Sequence, residues 1–590
     1  MIACSPQLRL RLTRVAQELD APDLLIRGAL VWNAYTGETY AGDIAVAGDR
    51  IARAGPGPFR GPVGPATEVV EGEGRTAVPG YIEPHTHAWP FINPLSLGEA
   101  AVCRGTTCLV CDELLYHIAF GPERLNTLTG ALSQAALPHL FWAARMASQS
   151  RFEGEEAFFR AEVVSTLLEQ PHFLATAETT RWTDFLDPSR AGRLLEIVER
   201  ARRLGKFADG HTAGASARKL PALAAAGLRS CHEAIDTSEA LERLRQGLWV
   251  LLRNSSLRED LPTLLPVLGS TLFADRFAFT TDGAKAHHVR EVGLTDHLIR
   301  LALSAGVPEG HAYRMATLNA ASLLGLDQDL GSLAPGRIAH VNLLETLRDP
   351  TPAAVVCRGR LCARDGALTV VAPSASFDWS LYDGGAPSIP PWGPELFTLP
   401  DAAPDPFPAG RLVNAVITRE APTRLERSGG ARWPSEDGEP CHVLALTDRR
   451  GSFLSLGVIR NLDPNLRGLA SSYTTNGGIV VLGTSPESMA DALSRLRALG
   501  GGIVVLPTGG EPKAFRLPLV GIQMAGEFEP AAAAAADFQE TLVACGYPHA
   551  DPNYTLLFLS CDFLPDLRAT EAGWIRSKTG EVLLPARRFG

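Results

Sequence analysis

The chain has no uninterrupted apolar run of about 18 residues or more, which excludes a membrane-spanning helix as the reading of any stretch. It also lacks an excess of basic residues. Lys and Arg number 55 against 65 Asp and Glu, for a formal net charge of −10, so the basic face of a nucleic-acid binder is not expected. Cysteine is sparse and scattered, ten in 590 residues, with only Cys103, Cys108 and Cys111 close together. Cys108-x-x-Cys111 lies in Thr106-Thr-Cys-Leu-Val-Cys-Asp112 with no second such pair nearby, so it reads as a buried strand and not as a zinc or redox centre. A reducing cytoplasm is the expected location. Met1 to Asp20 alternates Arg with Leu and Val and has no continuous apolar core; it predicts an amphipathic helix and no signal peptide.

What is present is ordinary globular composition in a chain too long for one core. Residues 21–76 carry short alternating segments separated by Pro- and Gly-rich turns, the pattern of β-hairpins. From 77 to 334 apolar β-like runs alternate with helical stretches, as in a (β/α) barrel. Short strands resume over 335–384 and are expected to complete the first β-unit, as a sandwich-type domain. The Pro-rich 385–410 reads as a linker, and 411–590 as a C-terminal α/β domain. Gly500-Gly-Gly502 follows a helical pattern and is expected to stop that helix, not to cradle a phosphate.

The barrel segment opens on Ala77-Val-Pro-Gly-Tyr-Ile-Glu-Pro-His-Thr-His87. In an extended strand, residues i and i+2 share a face, so His85 and His87 reach one metal together while Thr86 points away. Further ligand types stand at the predicted C-terminal ends of later strands, where barrel chemistry sits: Glu178, His211, His232 and Asp282. Neutral imidazoles bind divalent metals through one nitrogen, and a carboxylate such as Glu178 can bridge two cations. Asp282, beside such a pair, is placed to accept a proton from water and pass it to a leaving group.

This pattern resembles the amidohydrolase superfamily, and more closely the adenine deaminase family along nearly the whole chain. The stretches that carry the resemblance include Pro79 to His87, Arg104-Gly-Thr-Thr107, Asp209-Gly-His-Thr-Ala-Gly214, Ala225 to Glu233, Met315-Ala-Thr-Leu-Asn319, Leu469-Ala-Ser-Ser472 and Leu499 to Val505. The resemblance implies a metal-dependent (β/α)8 barrel with a small β domain and a C-terminal domain. It implies two divalent ions (manganese, iron or zinc) held by His85, His87, Glu178, His211, His232 and Asp282. Asp282 and Glu178 would carry the catalysis, through a metal-bridging hydroxide and an Asp proton shuttle. The expected activity is hydrolysis of a C–N bond in a cyclic or heteroaromatic small molecule, by a homodimer or larger homo-oligomer. Alternatives are a cyclic amidase without purine activity, or a ligand-binding relative without catalysis. The chain departs from the family pattern at Ala88-Trp89-Pro90, Asp112-Glu-Leu-Leu115, Gly283 and Ser472-Tyr-Thr-Thr-Asn-Gly477. Trp89, Asp112, Glu113, Leu114, Arg253 and Tyr473 are therefore the candidate substrate contacts. Several of these exchanges remove charge or a hydrogen-bonding group, which predicts that adenine is a poor substrate and that the natural one is less polar around its reactive carbon.

Overall fold

The computed structural model describes residues 2–88, 91–388, 390–428, 431–434 and 439–589. Its centre is a set of parallel strands. Tyr81–Thr86, Thr106–Asp112, His139–Ala144, Phe173–Thr176 and Phe207–Ala208 hydrogen-bond in that order as one sheet. Ser230–Cys231, Trp249–Arg253 and Phe277–Thr280 form a second. Isolated bridges join them at both edges, Ala208 to Leu228 and Thr86 to Asp282. These strands are buried almost throughout, as parallel strands covered on both faces must be. The helices between them carry a single apolar stripe. In Ala191–Arg203 it is Leu194, Ile197, Val198 and Ala201, spaced three and four apart, while the outer face is mostly Arg and Glu.

Two separated segments build a second layer. Strands at 24–56 and 68–79 share one nine-stranded sheet with strands at 341–368; Thr76–Pro79 pairs with both Leu24–Trp32 and Val341–Thr346. The N-terminal helix spans Pro6–Ala16, capped by Ser5, whose side chain accepts from Leu8 N at 3.1 Å. Thr106–Asp112 is a strand with Cys108 and Cys111 buried, and burial pushes both thiols up, out of the range of a reactive thiolate. The stretch from Glu155 to Leu168 forms two helices, Glu155–Phe158 and Ala161–Leu168. The stretch read as a linker up to residue 410 is already strand from Phe407, within Phe407–Leu412. Pro408 sits opposite Pro422 of the outermost strand, Thr418–Thr423, where a missing N–H costs least.

The C-terminal part is a second nine-stranded sheet, with helix Pro486–Leu499 against it. That helix starts on a Ser485/Ser488 capping box and ends on Gly500, whose φ of 77° only glycine adopts freely. This part is welded to the parallel strands. Phe91, fully buried, packs against Tyr473, Phe515 and Phe538 at ring distances of 6.2, 6.3 and 5.9 Å. Asn93 donates to the carbonyls of Met524 and Gly526, and Tyr116 to Gln523 at 2.8 Å. Among the described residues no helix is long and apolar enough to cross a membrane.

Candidate metal centre

All the side chains of the site come from the C-terminal ends of the parallel strands or the loops just after them. His85 and His87 leave Tyr81–Thr86 on the same side, their rings 5.1 Å apart and perpendicular. Asp282 follows Phe277–Thr280 in a left-handed backbone conformation, φ 57°, which an aspartate holds only when its surroundings impose it. Here they do: its carbonyl accepts from His87 N at 3.0 Å and Thr86 Oγ1 at 2.8 Å, and its N–H donates to Thr280 Oγ1 at 3.0 Å. The turn aims the carboxylate back over the first strand, with Oδ1 3.2 Å from His87 Nε2 and 3.6 Å from His85 Nε2.

A second group stands opposite. His211 and His232 follow Phe207–Ala208 and Ser230–Cys231, with ring centroids 5.2 Å apart. Glu233 joins them, its Oε1 3.8 Å from His211 Nδ1 and 3.5 Å from His232 Nε2. Glu178 lies between the two groups. Its Oε1 is 3.6 Å from His87 Nε2, while Oε2 is 2.6 Å from His211 Nδ1 and 3.2 Å from His232 Nε2. Three triads of ligand atoms lie close enough to share an ion: His85, His87 and Asp282; His85, Glu178 and His232; His211, His232 and Glu233.

Whether this set suits a metal can be judged from its hydrogen bonds. His232 is fully buried, yet neither ring nitrogen has a hydrogen-bond partner among the described residues. His85 Nδ1 donates to Asp209 Oδ2 at 2.7 Å, leaving Nε2 without a partner among the described residues. A carboxylate fixing one imidazole nitrogen so that the other points at an ion is a recurrent metal-site device. Buried carboxylates also outnumber the arginines that neutralise them. Arg145 bonds Glu178 at 3.1 Å and pairs closely with Asp112; Arg253 pairs closely with Glu233 and reaches Asp282 Oδ2 at 3.0 Å. Burial opposes charge on each acid. Arg253 and the two histidines nonetheless hold Glu233 near about 2, and His211, His232 and Arg145 keep Glu178 well below the usual range. Anions held this firmly in a dry site, beside imidazoles lacking partners, fit divalent cations.

A cavity of about 470 Å³ opens above these residues. His87, Glu178, His211, Glu233, Arg253 and Asp282 form its floor, and Gln149, Thr180, Trp182, Leu257 and Arg258 its walls. The roof belongs to the C-terminal part: Asn414 to Ile417, and Tyr554 to Pro565 with Leu557, Phe558 and Phe563. Tyr554 donates its hydroxyl to Gly283 O directly beside Asp282. A side chain at 283 has no room, since a Cβ there would lie 2.6 Å from that hydroxyl.

The six sequence-predicted ligand residues are thus brought together, and Arg253 lies on the cavity floor. Asp112 stands behind His87, 4.0 Å from its Nδ1, and Glu113 accepts from Arg145 N at 2.7 Å; neither lines the cavity. Leu114 and Tyr473 lie away from it, both buried in the core. Asn476 takes the turn role, accepting from Gly478 N and Thr474 Oγ1 at 2.9 Å each. Trp89 lies outside the described residues. Sequence reasoning missed Glu233, Arg145 and Asp209. Glu233 and Asp209 each stand beside a predicted histidine, two residues or fewer away, and that adjacency was the available signal.

Parallel strands with histidine and carboxylate ligands at their C-terminal ends define a metal-dependent amidohydrolase domain, and residues 76–362 match the amidohydrolase family. Residues 415–581 match the adenine deaminase C-terminal domain. A putative adenine deaminase of Halalkalibacterium halodurans is 32% identical, over 98% of this chain and 98% of its own. An adenine deaminase of Cenarchaeum symbiosum is 30% identical, over 96% and 93%. Among solved structures, the D-hydantoinase of Thermus sp. aligns with 59% of this chain and 97% of its own, at 16% identity and a TM-score of 0.45. The chain belongs to the adenine deaminase family and is a hydrolase of carbon–nitrogen bonds.

Proposed function

We propose that the protein removes an amino group from a nitrogen heterocycle of the adenine type, using two divalent ions. In this reading the eight parallel strands form one closed (β/α)8 barrel. His85, His87 and Asp282 would hold one ion and His211 and His232 the other, with Glu178 reaching both groups. The observation that carries it is the placement of Glu178, one oxygen toward His87 and the other toward His211 and His232. Ions held there would supply the positive charge that acidifies a water molecule. Asp282 Oδ1 faces the same space and takes the proton. It returns the proton to the departing nitrogen, so that water adds to the ring carbon, the C–N bond breaks and ammonia leaves. Arg253, bonded to Asp282 Oδ2, fixes the carboxylate so that only Oδ1 is in play. The roof shields the exchange from bulk water. The cytoplasm suits this chemistry, and the ten cysteines are free thiols.

A second reading, hydrolysis of a cyclic amide, is favoured by the apolar roof of Val416, Ile417, Leu557, Phe558, Phe563 and Leu564. The test is ammonia release from adenine by protein loaded with manganese, iron or zinc, alongside metal analysis. Two ions per chain and a kcat/KM of about 10⁴ M⁻¹s⁻¹ or more are expected, because Leu114 and Tyr473, two of the exchanges that spoke against adenine, lie away from the cavity. One ion or fewer, or turnover of cyclic amides alone, would reject the first reading.

A further inference from the structure

Most polar side chains that line the cavity are already engaged. Those of the floor hold one another, Arg258 bonds Asp260 at 3.0 Å, and Trp182 Nε1 donates to Ala213 O at 2.9 Å. Asn414 Oδ1 accepts from Val416 N and Ile417 N, and Tyr554 donates to Gly283 O. Two lining groups differ. Gln149 and Thr180 are 3% and 5% exposed, and neither Gln149 Oε1 nor Thr180 Oγ1 has a hydrogen-bond partner among the described residues. A buried polar atom left without a partner is unfavourable unless something else satisfies it.

The loops that present this pair are held firmly. Ser148 donates to Glu155 Oε1 at 2.8 Å through its hydroxyl and 2.9 Å through its N–H, and Ser150 donates to Ser560 O at 2.5 Å, so both neighbours of Gln149 are fixed. Arg181, next to Thr180, pairs closely with the same Glu155. One carboxylate therefore ties both loops together, on the wall adjoining Glu178. A carboxamide offers an acceptor and two donors, and a hydroxyl offers one of each. Lining one cavity, the two together match a planar ring edge that alternates N–H and bare nitrogen.

We propose that Gln149 and Thr180 read the nitrogen-bearing edge of a planar heterocyclic substrate, whose face packs under Leu557, Phe558 and Phe563. They are specificity-determining residues, and Glu155 is the positioning residue behind them. The inference deepens the function proposed above and rests on the same cavity.

The experiment compares adenine with its deaza analogues, in each of which one ring nitrogen is replaced by C–H. Wild type, Gln149→Leu and Thr180→Val are assayed for kcat/KM, and metal content is checked in each. Affinity is measured by calorimetry in the Asp282→Asn background, where no turnover is required. On adenine each substitution is expected to lower kcat/KM and affinity by about 10-fold or more, the scale of one buried hydrogen bond. On the analogue lacking the nitrogen that the residue reads, the penalty is expected to vanish, and Thr180→Ser is expected to restore the value on adenine. An equal penalty on every compound, or none on any, would overturn the inference. Wild type releasing no ammonia from adenine would instead overturn the function proposed above, while the binding comparison would still decide this pair.

Discussion

At the scale of single residues, Asp282 concentrates the chemistry. It holds a left-handed backbone, contacts both histidines of one group, and shares its second oxygen with Arg253. Asparagine keeps the shape and one coordinating oxygen but cannot accept a proton. Asp282→Asn should therefore lower turnover by about 10² to 10⁴ while metal analysis shows most of the metal retained; wild-type turnover would remove Asp282 from the shuttle role. A different acid sets a pH dependence of stability. Burial raises the Asp463 carboxyl from 3.8 to about 7, opposed only by the N–H of Asn465. Its folded value lies above its unfolded one, so its contribution is fully present below about pH 4 and is lost as the pH rises through about 7. Asp463→Asn has no proton to lose. Its melting temperature should exceed that of wild type by a margin that widens from pH 4 to pH 7 and then levels; a margin that does not change with pH would reject this account. The residue scale is also where the sequence is most legible. The spacing of His85 and His87, together with ligand types at the expected strand ends, is enough to mark a metal chemistry. Glu233 escaped because an acid next to a histidine in sequence is common and points elsewhere in a regular strand. Here Ser230–Cys231 ends just before His232, so consecutive side chains turn into the same space.

Between elements, the important contact is the one that holds the roof helix Pro552–Phe558. Its N-cap, Asp551, accepts from Asn553 N at 2.9 Å and Tyr554 N at 3.3 Å, and also pairs with Lys285 at 3.1 Å. Lys285 lies three residues after Asp282 and is 7% exposed, while Asp551 is fully buried. The helix is thus fastened twice to the segment that carries Asp282, by this pair and by Tyr554 on Gly283 O. Removing one member of a buried pair strands the other's charge, so Lys285→Met should cost about 3–5 kcal/mol in denaturant unfolding. Adding Asp551→Asn keeps the cap, removes the stranded charge and should recover most of that loss. If single and double variants are equally unstable, the pair is not the fastening. The helices and parallel strands of this region were readable from periodicity, but the identity of the roof was not. Resemblance pointed to Tyr473, whereas the loops that cover the site, 414–417 and 554–565, are mostly apolar and carry no ligand-type residue pattern. Which loop reaches a barrel mouth is set by packing between distant segments, and no local spacing encodes that.

For the whole molecule, the question is whether the C-terminal part is an attachment or a structural half of the active site. Three observations favour the second. Phe91, four residues after His87, is buried among aromatic rings of the C-terminal part. Gln523 donates to Ala88 O, one residue beyond that histidine, and Met524 N donates to Phe91 O at 2.8 Å. The roof of the cavity comes wholly from residues 414–417 and 554–565. A chain ending at residue 384 would strip the cover from Phe91 and Tyr116 and leave an apolar patch on the amidohydrolase domain, the kind of surface that drives association. It would also open the floor to bulk water, which weakens every charge interaction there. The truncated chain should be recovered largely as aggregate. Its soluble fraction should bind metal weakly and turn over the substrate of the full chain at about 1% or less, since misplacement near 1 Å at such a site costs about 10²-fold. Size-exclusion chromatography with metal analysis and a turnover assay on that fraction checks all of this. A monodisperse truncated protein with full turnover would show that the amidohydrolase domain builds its active site alone, and that the C-terminal part serves some purpose other than closing it.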